Sequence, residues 1–521
     1  MFRNGILIFL IFLLIVCFDQ VSTYKILSII PFVAPSLTFL SNELMKGLCQ
    51  AGHDVTVLTV KEDTFPSNYK NCKQILMKDA VENQLDTYQA IIKVRKADKK
   101  TPITSFWNFI LFADTVMKAT LSDSEVQKLL RSNETFDVVV VPQFVFEALK
   151  AFAPYFDAHL VLLNIGPPIF WMNHFVGNPT LPSINPEMFL GYTKQMDFFQ
   201  RCLNTVLTLG IYLTRKLYLY PSQAELVHKY ISRDIDLEKI SYNVSLVLMN
   251  AHPSVNSAST SVPCMVDIAG YHVKTSKKLP EDLQKFMDEA QYGVIYFSLG
   301  SNVHISDWDV VKYFVKAFSK RKELVLWKFH ATNLSGLSDN VKVAKWFPQT
   351  DILAHPNTKL FITHGGFLST IETIHHGLPT VAIPISGDQI LNTRFTADMG
   401  FTKIIEFPTI TEDKITEALE EVLGNQIYAE NAKMRSKIFH DRPMKPLDTA
   451  IYWIEYVARH NGAKHLRVNY LELNWIQFYL LDVYGFFGCI IFVLILVIKN
   501  LMYRLIKYIF KIGYPNKSKK Q

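Results

Sequence analysis

Between Trp346 and Gln389 the chain reads Trp346-Phe-Pro-Gln349, then an apolar run ending in Ile362-Thr363-His364-Gly365-Gly366. A helical stretch through Glu372 to His376 follows, then Gly377-Leu-Pro, another apolar run and Gly387-Asp388-Gln389. A strand that runs into His-Gly-Gly and a helix leaves backbone amides and the positive helix end free for an anion. Glycine at that turn lets the backbone come close to it. His364 adds a side-chain donor that can neutralise a pyrophosphate leaving group. Glu372, two turns on, can accept two hydrogen bonds from a diol such as ribose. Trp346 offers a flat face to a base, and Gln349 can pair with an imide edge. Asp388 and Gln389 suit sugar hydroxyls. Singly, each has a plainer use: a Gly-Gly pair is usually a turn, a Trp usually core, and His375 and His376 lack metal-ligand spacing. Together, their order and spacing are a different matter.

This block resembles the signature of the UDP-glycosyltransferase family, the group that includes the glucuronosyltransferases. The likeness extends to Tyr296-Phe-Ser-Leu-Gly-Ser301, to the region from Asp441-Arg-Pro to His465-Leu-Arg, and to the apolar span at Asp482. It covers essentially the whole chain and is strongest in the second half. The resemblance implies that Trp346 stacks uracil while Gln349 bonds its edge. It implies that Ser301, His364 and the amides around Gly366 to Ser369 hold the diphosphate, with Glu372 on the ribose and Asp388 and Gln389 on the sugar. Leu368 stands where many vertebrate members carry Asn. The family uses no metal and no redox cofactor; the UDP-sugar is a co-substrate. The wording of the Gly-Ser loop and donor block is similar to arthropod members, which implies UDP-glucose, although Asp388-Gln389 fits hexoses generally.

The pattern breaks in the first half. Members usually carry a Ser-His pair after the first strand, sixteen residues ahead of the His of a Gly-His pair. Counted back from Gly52-His53, the position is Leu37, directly after Ser36, and no His lies between Tyr24 and Gly52. The acid that orients that His normally ends the strand that here reads Phe136-Asp-Val-Val-Val-Val141, and its position is Pro142. No catalytic dyad is intact, and a general base typically contributes on the order of 10²–10⁴-fold. Three outcomes follow: acceptors such as amines that need no base, a different base such as Glu147 or His174, or a catalytically impaired UDP-sugar-binding relative that regulates partner subunits. For an active enzyme the expected reaction is a single displacement with inversion onto a small lipophile.

The elements that must position these residues can be traced by hydrophobic pattern. Ile26–Ile30, a helix bearing Phe39, Leu40, Leu44 and Leu48, and the strand 54–59 form a strand–helix–strand unit of a parallel sheet. Strands follow at 138–141 and 160–163, apolar throughout as in sheets buried on both faces. A second series comprises 294–298, 324–327, 341–343, 360–363 and 381–384, with a helix at 308–318. The Ser- and Pro-rich stretch from Pro253 to Pro263 reads as a linker. The fold expected is α/β, with two facing Rossmann-like domains of GT-B type: an acceptor domain over 24–262 and a donor domain over 263–470. Ligands then sit beyond the carboxyl ends of the strands. The aromatic segments Phe106-Trp107-Asn108-Phe109 and Phe170-Trp171 are candidates for lining an apolar acceptor pocket, and 203–219 for lying against a membrane. No G-x-G-x-x-G follows the first strand, which argues against a nicotinamide dehydrogenase.

Both ends of the chain carry membrane signals. Arg3 and the apolar run 5–18 read as a secretory signal cleaved near Thr23. The unbroken run 483–498 spans about 24 Å, and with Leu480 and Leu481 it reads as a transmembrane helix over 480–499. A basic cytosolic tail over 500–521 then gives a single-pass type I protein. Lys517 and Lys519 resemble a dilysine retrieval signal of the endoplasmic reticulum. The net charge of +7 is thus largely a membrane flank, which argues against nucleic-acid binding. Sequons at Asn133, Asn243 and Asn333 fit a lumenal glycoprotein; Asn516, on the cytosolic side, is expected to stay bare. Cys49, Cys72, Cys202 and Cys264 allow one disulfide, with buried free thiols the plainer outcome. Detoxification is the expected setting, and a homo- or hetero-oligomer is left open.

Overall fold

The computed structural model describes residues 23–513 apart from 33–34, 63–68, 83, 85–101, 194, 257–258, 301–307, 331–333, 386 and 469–472. The secretory signal, Ser301, Asn333 and the terminal lysines therefore lie outside the described residues. Two compact units are present, one running to Leu466 and the other from Arg467 onward.

The first unit holds two parallel sheets. The first contains β1 (Lys25–Ile30), β2 (Asp54–Thr59), β3 (Cys72–Leu76), β4 (Val138–Gln143), β5 (His159–Asn164), β6 (Leu246–Met249) and β7 (Met265–Asp267). Their order across the sheet is β3-β2-β1-β4-β5-β6-β7. The second contains β8 (Val294–Ser298), β9 (Leu324–Lys328), β10 (Val341–Ala344), β11 (Thr358–Thr363), β12 (Thr380–Ala382) and β13 (Thr402–Ile404), ordered β10-β9-β8-β11-β12-β13. In each sheet the strand order runs outward from the middle in both directions, which opens a crevice at the carboxyl edge where the order reverses.

The apolar strands have the cause the sequence suggested. Every residue of β4 and of β8 is buried, because helices cover both faces. The second sheet packs Phe297 against Trp327 and Phe314, with ring centroids 5.2 and 4.7 Å apart. Each such ring, fully buried, stabilises the fold by about 1.5–3 kcal/mol. The first sheet extends past the Ser- and Pro-rich stretch to Asp267. The helix Pro446–Arg459 also returns to it, setting Ala450, Ile454 and Val457 among Ile26, Val138, Val161 and Leu246. Glu455 on that helix meets the buried His53 at 3.1 Å. A Cys49–Cys72 disulfide fixes the end of helix Pro35–Gln50 to the edge strand β3, so these two thiols are not free. Cys264 is a buried free thiol and Cys202 an exposed one.

In the second unit the helix Leu481–Gly513 is longer than the expected 480–499 span. Lys499, Arg504 and Lys507 lie within the helix and not in an extended tail. The stretch Leu481–Phe510 is long and apolar enough to cross a membrane, with mean hydropathy 2.6 and none of its most apolar window buried.

Candidate functional site

The carboxyl edge of the second sheet brings the expected donor residues together. Ser298, Lys328, Thr363 and Ala382 sit in register at the ends, or near the ends, of neighbouring parallel strands. Beyond β11 the chain turns through His364, Gly365 and Gly366 into the helix Phe367–His376, whose N-cap is Gly366. Gly365 has φ +76, and a Cβ there would come within 2.1 Å of Thr393 Cγ2. Only glycine fits that position. The His364 ring is seated between two more glycines. A Cβ on Gly300 would lie 2.7 Å from its Cε1, and one on Gly366 would lie 2.5 Å from its Nε2. Among the described residues His364 Nδ1 has no hydrogen-bond partner although it is buried. Burial, and then the Lys328 ammonium, pull the imidazole down to about 4, so the ring is neutral at pH 7.

The helix that starts at Gln389 locks this turn. Asn392 donates to Gly365 O at 3.0 Å and to Asp388 Oδ2 at 2.8 Å, while Gln389 Oε1 accepts from the amide of Ile385 at 2.9 Å. Asp388 and Gln389 are thereby held beside the His-Gly-Gly turn. Asn392, Thr393 and Lys328 were not visible as site residues in the sequence, because each lies in an ordinary helix or strand pattern.

Glu372, Gln349 and Ser369 also converge. Gln349 Nε2 donates to Glu372 Oε2 and, at 3.2 Å, to the Ser369 hydroxyl. Thr350 donates to Glu372 Oε1 at 2.5 Å. Burial raises the Glu372 carboxyl, and the Thr350 and Gln349 bonds oppose it. Both Glu372 oxygens are therefore already engaged by these two neighbours. Trp346, three residues ahead of Gln349, is 70% exposed and fills no core.

In the first half, both positions expected to carry the dyad are buried. Leu37 is 3% exposed and belongs to the apolar cluster of Ile29, Ile110, Phe112, Val141 and Phe146. Pro142 is buried within β4, opposite Leu163. Glu147 is not a spare base. It is fully buried and paired with Lys150 at 2.6 Å and with Arg215. Burial alone would raise its carboxyl, but the two cations outweigh burial and pull it to about 2. His174 bonds Tyr242 at 2.9 Å, and burial followed by Lys216 and Arg215 lowers its affinity for a proton. Trp171 is core, donating to Phe144 O at 3.2 Å. Trp107 packs on Tyr218 with centroids 5.1 Å apart; the side chains of Phe106, Asn108 and Phe109 lie outside the described residues. Where the two halves meet, Phe170, Met188, Leu391 and Phe395 line a common cavity. Asn133 and Asn243 are exposed, as a sequon requires.

Comparison with known proteins agrees with this geometry. The family model described as "UDP-glucoronosyl and UDP-glucosyl transferase" matches residues 25–514. A UDP-glycosyltransferase (UGT5) of Dactylopius coccus is 32% identical over 507 residues, covering 95% of this chain and 94% of that protein. UDP-glucosyltransferase 2 of the same insect is 34% identical and covers 89% of each. Human UDP-glucuronosyltransferase 2B7 is 29% identical, covering 88% of this chain and 89% of its own. Among solved structures, CalG4, the calicheamicin glycosyltransferase, superposes with TM-score 0.59 at 16% identity over 84% of this chain and 99% of its own. That likeness identifies the architecture as GT-B.

Proposed function

Because the chain belongs to the UDP-glucoronosyl and UDP-glucosyl transferase family, we propose that it moves glucose from UDP-glucose onto a small lipophilic acceptor. The transfer is a single displacement at the anomeric carbon with inversion. Trp346 stacks the uracil and Gln349 bonds its edge. His364, the amides from Gly366 to Ser369, and Ser301 hold the diphosphate. Glu372 takes the ribose diol, and Asp388 and Gln389 hold the sugar. The observation that carries this is His364, seated between Gly300 and Gly366 at the head of a helix, with a buried ring nitrogen that lacks a partner. An anionic oxygen arriving there gains a hydrogen bond and the helix end together. A neutral imidazole can donate to it from one nitrogen. Lys328 adds a positive charge on the same sheet edge.

The same reading puts the mature chain in the endoplasmic reticulum membrane, with the sheets in the lumen, glycans on Asn133, Asn243 and Asn333, and the basic end of Leu481–Gly513 toward the cytosol. A second reading is favoured by one observation: Leu37 sits in an apolar cluster, where no proton can be taken. On that reading the chain binds a UDP-sugar and acts on partner subunits without transferring it.

Direct binding of UDP to the detergent-solubilised full chain tests the donor site. UDP affinity is expected to fall at least tenfold in His364→Ala and in Glu372→Ala. Equal affinity in wild type and both variants would remove the donor site as drawn.

A further inference from the structure

The cavity between the two halves contains a carboxyl that nothing in the donor site uses. Glu187 lines it and is 6% exposed. Its place is fixed by Asn204 of the helix Phe198–Thr214. The Asn204 side chain accepts from the Glu187 amide at 2.8 Å and donates to Pro182 O and Asn185 O at 2.7 and 2.9 Å. One Glu187 oxygen accepts from the Thr208 hydroxyl at 3.2 Å, and the other has no protein partner among the described residues. Burial raises this carboxyl to about 7, against the Thr208 bond. Among the described residues no other titratable side chain lines the cavity, and the remaining lining is apolar or amide and hydroxyl. Two of those amides, Asn185 and Asn256, leave a buried Oδ1 without a partner among the described residues. The cavity thus presents hydrogen-bond acceptors to whatever enters.

The cavity also abuts the donor side. Leu391 and Phe395, on the helix that starts at Gln389, form its far wall. A Cβ on Gly191, four residues after Glu187, would come within 2.4 Å of Ile390 Cγ2. The Glu187 segment is therefore packed directly against the residue that follows Gln389.

We propose that this cavity is the acceptor site and that Glu187 is its proton acceptor, in place of the His and Asp that Leu37 and Pro142 replace. The step rests on the donor site proposed above. The acceptor is a small apolar molecule carrying one O–H or N–H. Its lone pair forms the bond to the anomeric carbon as its proton passes to the free Glu187 oxygen. The bond from that carbon to the diphosphate breaks, and its electron pair leaves on the β-phosphate oxygen of UDP. Only an ionised carboxylate can act so, which ties turnover to the upper side of its titration.

The test is transfer from UDP-glucose and UDP-glucuronate to a phenol and to an aromatic amine of equal size, by the full chain in membranes, from pH 5.5 to 9. UDP binding is measured on the same preparations. In wild type, phenol turnover is expected to rise through about pH 7. Glu187→Gln is expected to lose on the order of 10²–10⁴-fold in phenol kcat, to flatten that rise, and to bind UDP as wild type does. Thr208→Val, which removes the bond that lowers the carboxyl, is expected to move the rise to higher pH and serves if Glu187→Gln does not fold. Undiminished phenol turnover in Glu187→Gln with the rise intact overturns the assignment. So does a wild type that binds UDP yet transfers to neither acceptor. A wild type that fails to bind UDP overturns the donor site itself.

Discussion

At the scale of single residues, the candidate donor side chains stand out in the sequence because their types are unusual where they stand. A His-Gly-Gly after an apolar strand and an acidic residue on the next helix have few structural uses. Asn392 and Lys328 were not legible, since an Asn in a helix and a Lys ending a strand are ordinary, and only the fold shows what they touch. Glu147 was misleading for the opposite reason: an acid near the expected place proved to be the buried partner of Lys150 and Arg215. Burial has a second consequence at this scale. His252, His272, His364 and His376 are each lowered from 6.5 to about 4, and His375 to about 3, with burial the largest cause in every case. Their unfolded forms take up protons as pH falls through 6.5, whereas the folded forms do not until about pH 4. Stability is thus fully present above pH 6.5 and is lost as pH falls toward 4. Glu187 and Asp267, raised to about 7 and about 6, act in the opposite sense, as do the raised Asp114 and Glu372, whereas the lowered His174 and Glu147 add to the side of the five rings. The melting temperature of the solubilised chain is expected to drop by several degrees between pH 7 and pH 5. A constant melting temperature across that range would mean that these rings are not buried in neutral form.

At the scale of elements, long apolar strands and amphipathic helices could be read directly: β2 and β8 have the bounds their patterns suggest, and β1 begins one residue earlier, at Lys25. β7 and β13 span three residues each, too short for any periodicity to declare itself. β3 is a half-buried edge strand, Cys72-Lys-Gln-Ile-Leu76, whose mixed pattern hides it. The return of helix Pro446–Arg459 to the first sheet could not be read either, because its apolar face says that it packs but not on what. The turn that joins β11 to its helix makes a prediction at this scale. Gly365→Ala places a methyl against Thr393 and forces a left-handed backbone onto a residue that resists it. UDP affinity is expected to fall tenfold or more. Gly424→Ala, at a helix end with open space around it, is the matched control. There UDP affinity should hold and stability should rise slightly, by about 0.5–1 kcal/mol. Equal UDP affinity in Gly365→Ala and wild type would separate the turn from the nucleotide site.

At the scale of the whole molecule, the chain combines a membrane-length helix with an apolar surface on its first unit. Phe199, Leu203, Val206, Leu213 and Leu217 are all at least 49% exposed along one helical stretch. Water-facing stripes of that kind mark a surface meant to be covered. Lipid is the covering that suits the membrane placement proposed above, in line with what the 203–219 sequence suggests. Cys202 lies beside Leu203 as an exposed thiol and can report it. In permeabilised membranes carrying a Cys489→Ser chain, a membrane-impermeant maleimide is expected to label Cys202 at least tenfold more slowly than in detergent. Equal rates would mean that the stripe faces water.

On the proposed function, this chain transfers a sugar although Leu37 and Pro142 stand where a base and its acid are expected. Formation of labelled conjugate from UDP-glucose, with a phenol and an amine acceptor, tests it most directly. The measurement uses the full chain in membranes beside its His364→Ala variant. A β-linked conjugate is expected from wild type, and a loss of at least a hundredfold in His364→Ala. No conjugate with either acceptor, from a wild type that still binds UDP, would contradict it and leave a UDP-sugar-binding protein without transfer.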